Sequence, residues 1–178
     1  MDIVHEVKKA KQGDKTSFEK LIYHFEKDMY IVAKTILNDD NDCADAVSES
    51  ILKAYESISQ LKQPRSFKTW LMKILVNNCY QIKRLQKRVI TIDNFPDIPI
   101  HQDEYSNAEL YQFVNRLEAD LKLVVVMYYF QDLSVKEISN ILDIPVGTVK
   151  SRLSRARKRM WEMLNFEGGN LLYGAKVR

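Results

Sequence analysis

The sequence predicts an all-α protein of two small helical domains joined by an irregular acidic linker, the C-terminal domain a helix-turn-helix. Three observations lead there. The 178 residues hold five glycines and four prolines, and apolar residues recur at three- and four-residue spacing with few alternating β-branched runs, which is a helix period rather than a strand period. Two of the prolines, Pro96 and Pro99, fall in VITIDNFPDIPIHQDEYSN, a stretch without helical periodicity that carries Asp and Glu but no Lys or Arg, so the chain divides there. Asp132 to Met160, DLSVKEISNILDIPVGTVKSRLSRARKRM, reads as two helices joined by a tight turn. The divisions expected are a helical domain over residues 1–88, a linker over 89–105, the helix-turn-helix domain over 106–168 and a flexible tail over 169–178. Each domain is large enough for a small core, though marginal on its own.

The elements follow in chain order. Phe18, Leu21, Ile22, Phe25, Met29, Val32, Ala33 and Ile36 place a long amphipathic helix over about Asp14 to Leu37. A second follows NDDND, with Ala44, Val47, Ile51, Ala54, Tyr55, Ile58 and Leu61 as its buried face and Asp42, Asp45, Glu49 and Glu56 outside. The third begins around Ser66, burying Phe67, Trp70, Leu71, Ile74, Leu75 and Cys79. Beyond the linker a helix is expected from about Ala108 to Leu117. The run Leu121 to Phe130 is too apolar to be exposed and reads as a core helix. Ser134 as N-cap and Glu137 three residues later make a capping box, and Ile138, Ile141 and Leu142 point to the core. Asp143 and Ile144 turn the chain. Pro145 then opens a helix with the stripe Val146, Val149, Leu153, Ala156 and Met160. After Glu167 the glycine-rich tail is expected to fray.

Charge is patterned more than it is large. The net charge is +3, too modest for a polycation, yet residues 57–92 hold eight Lys or Arg and no acid, whereas residues 39–56 hold six acids and one Lys. Residues 145–160 hold six Lys or Arg and no acid. A helix so charged repels itself unless it meets an anion, and Pro145, Gly147, Thr148, Lys150, Ser151, Arg152 and Arg155 are left by the core stripe to face a DNA groove. In the third helix Phe67 and Trp70 lie among Arg65, Lys68 and Lys73, a mixture suited to holding unpaired bases by stacking and phosphates by charge. The same two rings also fit the buried stripe of that helix, and the sequence leaves both readings open. The acidic face of the second helix would repel phosphate, so its natural partner is a protein.

Several classes are excluded or disfavoured. No stretch has the ~18 consecutive apolar residues of a membrane span, and the charged first thirty residues do not resemble a signal peptide, so a cytoplasmic protein without membrane insertion is expected. Cys43 and Cys79 form no CxxC pair, and His5, His24 and His101 are scattered, so no metal site, cofactor or disulfide framework is expected. Paired carboxylates, histidine clusters and phosphate-binding glycine loops are missing from any sensible context, which argues against an enzyme.

The order of these pieces resembles the extracytoplasmic-function group of bacterial sigma factors, the small two-domain initiation subunits of RNA polymerase. DCADAVSESILKAYESI is similar to the segment by which they dock on core polymerase, with Asp45, Val47 and Glu49 in place. FKTWLMKILVNNCYQIKR is similar to the helix that recognises and melts the minus-ten element, matched at Trp70, Leu71, Ile74, Asn77 and Arg84. LSVKEISNILDIPVGTVKSRLSRARKRM is similar to the minus-thirty-five reader almost throughout. The resemblance implies polymerase binding at Asp42, Asp45, Ser48, Glu49 and Leu52, downstream DNA contact at Arg65, Ser66, Phe67, Lys68, Trp70, Lys73, Asn77 and Arg84, and promoter DNA, duplex and melted, as ligand. It also implies an anti-sigma factor as a frequent partner, and a linker whose Asp93, Asp97, Asp103 and Glu104 mimic a phosphate backbone in polymerase channels. The chain departs from the pattern at Ser48, usually Gln, at Ile51, commonly aromatic, at Gln81, typically acidic, and at Glu118, typically proline. A dimeric helix-turn-helix regulator accounts for the C-terminal half equally well, but not for the basic residues of the N-terminal half.

Overall fold

Short polar residues open each of the first three helices. In the computed structural model, which describes residues 1–37, 39–87 and 113–174 apart from the side chains of Lys87 and 166–174, Asp2 caps α1 (Ile3–Lys11) by accepting from His5 N at 3.1 Å. Gly13, at φ 95°, turns the chain in a conformation that favours glycine. Asp14 then caps α2 (Lys15–Ile36), accepting from Thr16 N at 3.0 Å and from the Ser17 hydroxyl at 2.9 Å. Those hydrogen bonds, the Ser17 side chain first, hold its carboxyl below the usual range. Asp39 caps α3 (Asp40–Ser57) through Asn41 N and Asp42 N. Two 3-10 turns, Ile58–Gln60 and Pro64–Ser66, lead into α4 (Phe67–Lys87).

In the C-terminal half, α5 (Ala119–Val125) runs into a π-helical turn, Val126–Phe130, within the segment expected as one core helix. The capping box forms as expected at α6 (Val135–Leu142): Glu137 N donates to Ser134 Oγ at 3.3 Å and Ser134 N donates back to Glu137 Oε2 at 2.9 Å. Asp143 ends α6 in the left-handed conformation, φ 51°. Val149 N and Thr148 N both donate to the Pro145 carbonyl as α7 (Val146–Gly174) begins. No strand occurs among the described residues.

Four expectations are corrected. Helix α1 lies before the first element expected at Asp14; Val7 and Ala10 bury one side of it on α2. The buried face of α3 is turned by about one residue, to Cys43, Ala46, Val47, Ser50 and Ala54, leaving Ala44 and Tyr55 exposed. The turn is tolerated because the polar members are satisfied: Ser50 donates to the Ala46 carbonyl and accepts from Asn78 Nδ2 at 2.8 Å, and Lys53 donates to Asn78 Oδ1 at 2.7 Å. In α7 Val149, Leu153 and Ala156 are buried, but Val146, in the open first turn, is exposed. Helix α7 also continues to Gly174, past the glycines expected to fray; each costs about 1 kcal/mol against Ala, too little on its own to stop a propagating helix. The expected helix from Ala108 lies outside the described residues up to 112, and 113–115 form a helical turn. The acidic linker positions likewise lie outside them.

The two halves share one contiguous apolar cluster that runs from Val7 to Ala156. Helices α2, α3 and α4 pack on one another, α5 and α6 pack on α7, and the halves join where α4 meets α6 and α2 meets α5. Cys43 and Cys79 are buried as free thiols; burial pushes them up to about 11 and about 12.

Candidate nucleic-acid interface

Helix α7 of the C-terminal half is positioned by its turn. Ile144 N donates to the Ser139 carbonyl at 3.2 Å, and the Ser139 hydroxyl donates to the Ile144 carbonyl at 2.6 Å, which locks the angle between α6 and α7. Burying Val149, Leu153 and Ala156 turns the other face outward, so Pro145, Gly147, Lys150, Ser151 and Arg155 are exposed and Thr148 is half-buried. A Cβ built on Gly147 would meet nothing within 4 Å. Ser154, Arg157, Lys158 and Arg159 extend the exposed basic face beyond the residues expected to touch DNA. Arg152 is placed differently: its guanidinium is half-buried and pairs at 2.5 Å with Asp120 near the start of α5, so it ties α7 to α5.

In the N-terminal half the 3-10 turn at Pro64 delivers Arg65, exposed, and Ser66, half-buried, to the start of α4. Phe67 is fully buried, its ring centroid 5.8 Å from Phe25 and 5.7 Å from Trp70. Its ring therefore cannot reach a base without leaving the core, so the stacking reading fails for Phe67 and the buried one holds. Trp70, half-buried, rests on Phe67. Asn77 and Arg84 are exposed further along the helix, Arg84 Nε lying 3.4 Å from the Tyr80 carbonyl.

Lys68, Thr69 and Lys73 of α4 face the other half of the molecule. Lys68 Nζ donates to the Gln131 carbonyl at 2.7 Å and pairs with Asp28 of α2 at 3.1 Å. With its amide nitrogen turned toward Asp28, the orientation that satisfies both of its ends, Gln131 donates to Asp28 Oδ2 at 2.9 Å. Thr69, itself buried, donates to Glu137 Oε1 at 2.7 Å. Lys73 Nζ reaches Asp143 Oδ1 at 2.7 Å and Asn140 Oδ1 at 3.4 Å. Burial acts to raise the Glu137 carboxyl, but hydrogen bonds from Ser134 and Thr69, with Lys68 nearby, hold it below the usual range. The sequence does not predict these pairings because the partners lie 40 or more residues apart; complementary charge is the one available signal.

The acidic face of α3 stands apart from both. Asp45, Ser48, Glu49 and Leu52 are exposed, Leu52 at 59%. Asp42 is half-buried and accepts from Gln86 of α4, while Glu49 pairs with Lys53 at 3.2 Å. Beside it, between α2 and α3, lies an open groove of about 1200 Å³ lined by Tyr23, His24, Lys27, Val47 and Ile51 among others. No group of His, Cys, Asp and Glu among the described residues could hold a metal ion. No described helix is long and apolar enough to cross a membrane.

Comparison with known proteins matches residues 21–89 to sigma-70 region 2 and residues 107–160 to sigma-70 region 4. The chain is 32% identical over 158 residues to RNA polymerase sigma factor SigV of Bacillus subtilis, covering 85% of this chain and 93% of that protein. It is 30% identical over 170 residues to the ECF RNA polymerase sigma-E factor of Haemophilus influenzae, covering 85% and 89%. Among solved structures, the sigma factor RpoE of Bartonella quintana in complex with the anti-sigma factor NepR has a similar fold, with a TM-score of 0.69 at 23% identity over 83% of this chain and 96% of that one. CnrH in complex with the cytosolic domain of CnrY gives a TM-score of 0.66 at 18% identity over 92% and 97%. With both regions matched in order, and relatives alike over most of their length, the chain belongs to the extracytoplasmic-function group of the sigma-70 family of RNA polymerase sigma factors.

Proposed function

We propose that this protein is an alternative sigma factor that binds RNA polymerase core and directs promoter-specific initiation of transcription. The observation that carries this reading is the coexistence in one short chain of two separate basic helix surfaces, on α4 and α7, with an acidic, leucine-bearing face on α3 that suits neither. A DNA-binding regulator needs one such surface; an initiation subunit needs all three. Asp42, Asp45, Ser48, Glu49 and Leu52 would dock on polymerase. Arg65, Ser66, Lys68, Trp70, Lys73, Asn77 and Arg84 would hold the downstream element, with Phe67 supporting Trp70 from below. Pro145, Gly147, Thr148, Lys150, Ser151 and Arg155 would read the upstream element in the major groove, where each mismatched pair commonly costs about 1–3 kcal/mol, and Arg152 would set the tilt of α7. The chain itself makes and breaks no bond; it acts where polymerase acts, in the cytoplasm, and an anti-sigma partner would occlude these same surfaces. Tethering two weak DNA contacts through polymerase multiplies them by effective concentration, so the holoenzyme should bind promoter well and the free chain poorly.

The test is multi-round transcription by purified bacterial core polymerase, with and without the chain, on a pool of promoter fragments from the source genome. Discrete start sites that appear only with the chain are expected. Absence of any dependent start, together with a dimer on light scattering and a palindromic site, would instead make it a helix-turn-helix regulator.

A further inference from the structure

The connection from α3 to α4 carries the first of the proposed downstream contacts, yet its own hydrogen bonds do little to fix it in place. They are local: Leu61 N donates to the Ile58 carbonyl at 3.1 Å, and Ser66 N to the Gln63 carbonyl at 3.0 Å. Bonds of that span shape each 3-10 turn without holding it against the rest of the molecule. The side chains of Ile58, Leu61 and Phe67 are buried, and between them Lys62, Gln63 and Arg65 are exposed. The loop has apolar feet and a polar crest. Helix α1 packs on both turns. From its last turn Lys11, half-buried and 50 residues away in sequence, donates from Nζ to the Leu61 carbonyl at 2.5 Å. With an ammonium as donor, this bond belongs to the stronger, charge-assisted class.

We propose that Lys11 is a positioning residue for the downstream element: by clamping the Leu61 carbonyl it holds the loop over residues 58–66 in the shape that presents Arg65 and Ser66 to a melted strand. The inference rests on the reading of Arg65 and Ser66 as downstream contacts. Single strands are held by a few stacking and phosphate contacts, and a loop that must be ordered as it binds loses affinity to that ordering. A loop already fixed does not. Leu61 is held from two sides, its side chain by the core and its carbonyl by Lys11. Arg65 follows four residues later, after Pro64 has set the backbone of the second turn. Helix α1 then does more than pack: Val7 and Ala10 seat it on α2, and that seat aims Lys11 at the loop. Lys11 acts on opening of the duplex and not on the upstream element, which α7 reads from the other half.

Lys11→Met keeps an unbranched apolar stem and removes the donor, whereas Lys11→Arg keeps a cationic donor. Lys8→Met, at an exposed position of the same helix, removes the same charge and leaves the clamp in place. The variants are compared as full-length chains, free and bound to purified core polymerase. In the free chain, amide exchange is measured at Leu61 and Ser66. In the holoenzyme, opening of a start-site fragment from the transcription test above is read by permanganate reactivity of unpaired thymines, beside binding to a duplex that carries the upstream element alone. Lys11→Met should exchange faster at both amides and open several-fold less, with core binding, upstream binding and melting temperature as in wild type. Lys11→Arg should restore exchange and opening, and Lys8→Met should match wild type in both. Opening by Lys11→Met equal to that of wild type overturns the proposal, as does an equal loss in Lys11→Arg or Lys8→Met, or a loss that extends to the upstream duplex. Dependent start sites with Lys11→Met fully active would leave the sigma-factor reading standing and refute the clamp. A wild-type holoenzyme without any dependent start site would refute that reading, and the role of the loop with it.

Discussion

An ideal Cβ on Gly147 would meet open space, and the residue is helical, so neither packing nor backbone conformation requires glycine there. Alanine should be favoured within the helix by up to about 1 kcal/mol. On the proposed reading, glycine here serves the close approach of DNA to the backbone at the start of α7. Gly147→Ala should keep or slightly raise the melting temperature while weakening promoter binding by the holoenzyme; unchanged binding would remove Gly147 from the interface. Glu137 is tested by pH. Its carboxyl is held below its ordinary 4.5 in the folded chain, so the stability it contributes is fully present above that value and is lost as pH falls through the lower, folded-state value. In wild type the amide protons of the α6 start should gain exchange as acid is added through that window. In Glu137→Gln that acid-dependent step should vanish.

The seam between α3 and α4 depends on one buried amide. Asn78 accepts from Lys53 and donates to Ser50, joining two helices that also meet through Gln86 and Asp42 near one end and through apolar side chains such as Ala46 and Leu75. Asn78→Ala should cost about 1–3 kcal/mol, the range for stranding buried polar partners, read as a lower midpoint in urea with unchanged slope; a shift smaller than the error would show that Ser50 and Lys53 find new partners. The seam also marks how far periodicity can be trusted. Helices α2 and α4 were legible from their apolar spacing, and α6 with the turn at Asp143 from spacing together with the capping box. The face of α3 was misjudged by a residue because Ser50 and Cys43 are not counted as core formers until a partner is known to satisfy or cover them. Helix α1 was missed because four of its nine residues are charged and only Val7 and Ala10 are buried. Among the site residues, the exposed basic face of α7 could be read from what its apolar stripe left over. The burial of Phe67 and the pairing of Arg152 with Asp120 could not, since both depend on which distant element arrives opposite.

For the molecule as a whole, the continuous core predicts a single calorimetric unfolding transition, in spite of the two matched regions. Two resolved transitions would mean that the halves fold without each other. The same packing has a practical consequence through the two cysteines. With their thiols pushed up to about 11 and about 12, on the order of one in a thousand or fewer would be thiolate at pH 8, and both sulfurs lie inside the helical bundle. Alkylating reagents must therefore wait for that bundle to come apart. A thiol-reactive fluorophore would go to a cysteine newly placed on the surface and nowhere else, so the folded chain can be labelled at one chosen site with its native thiols left in place.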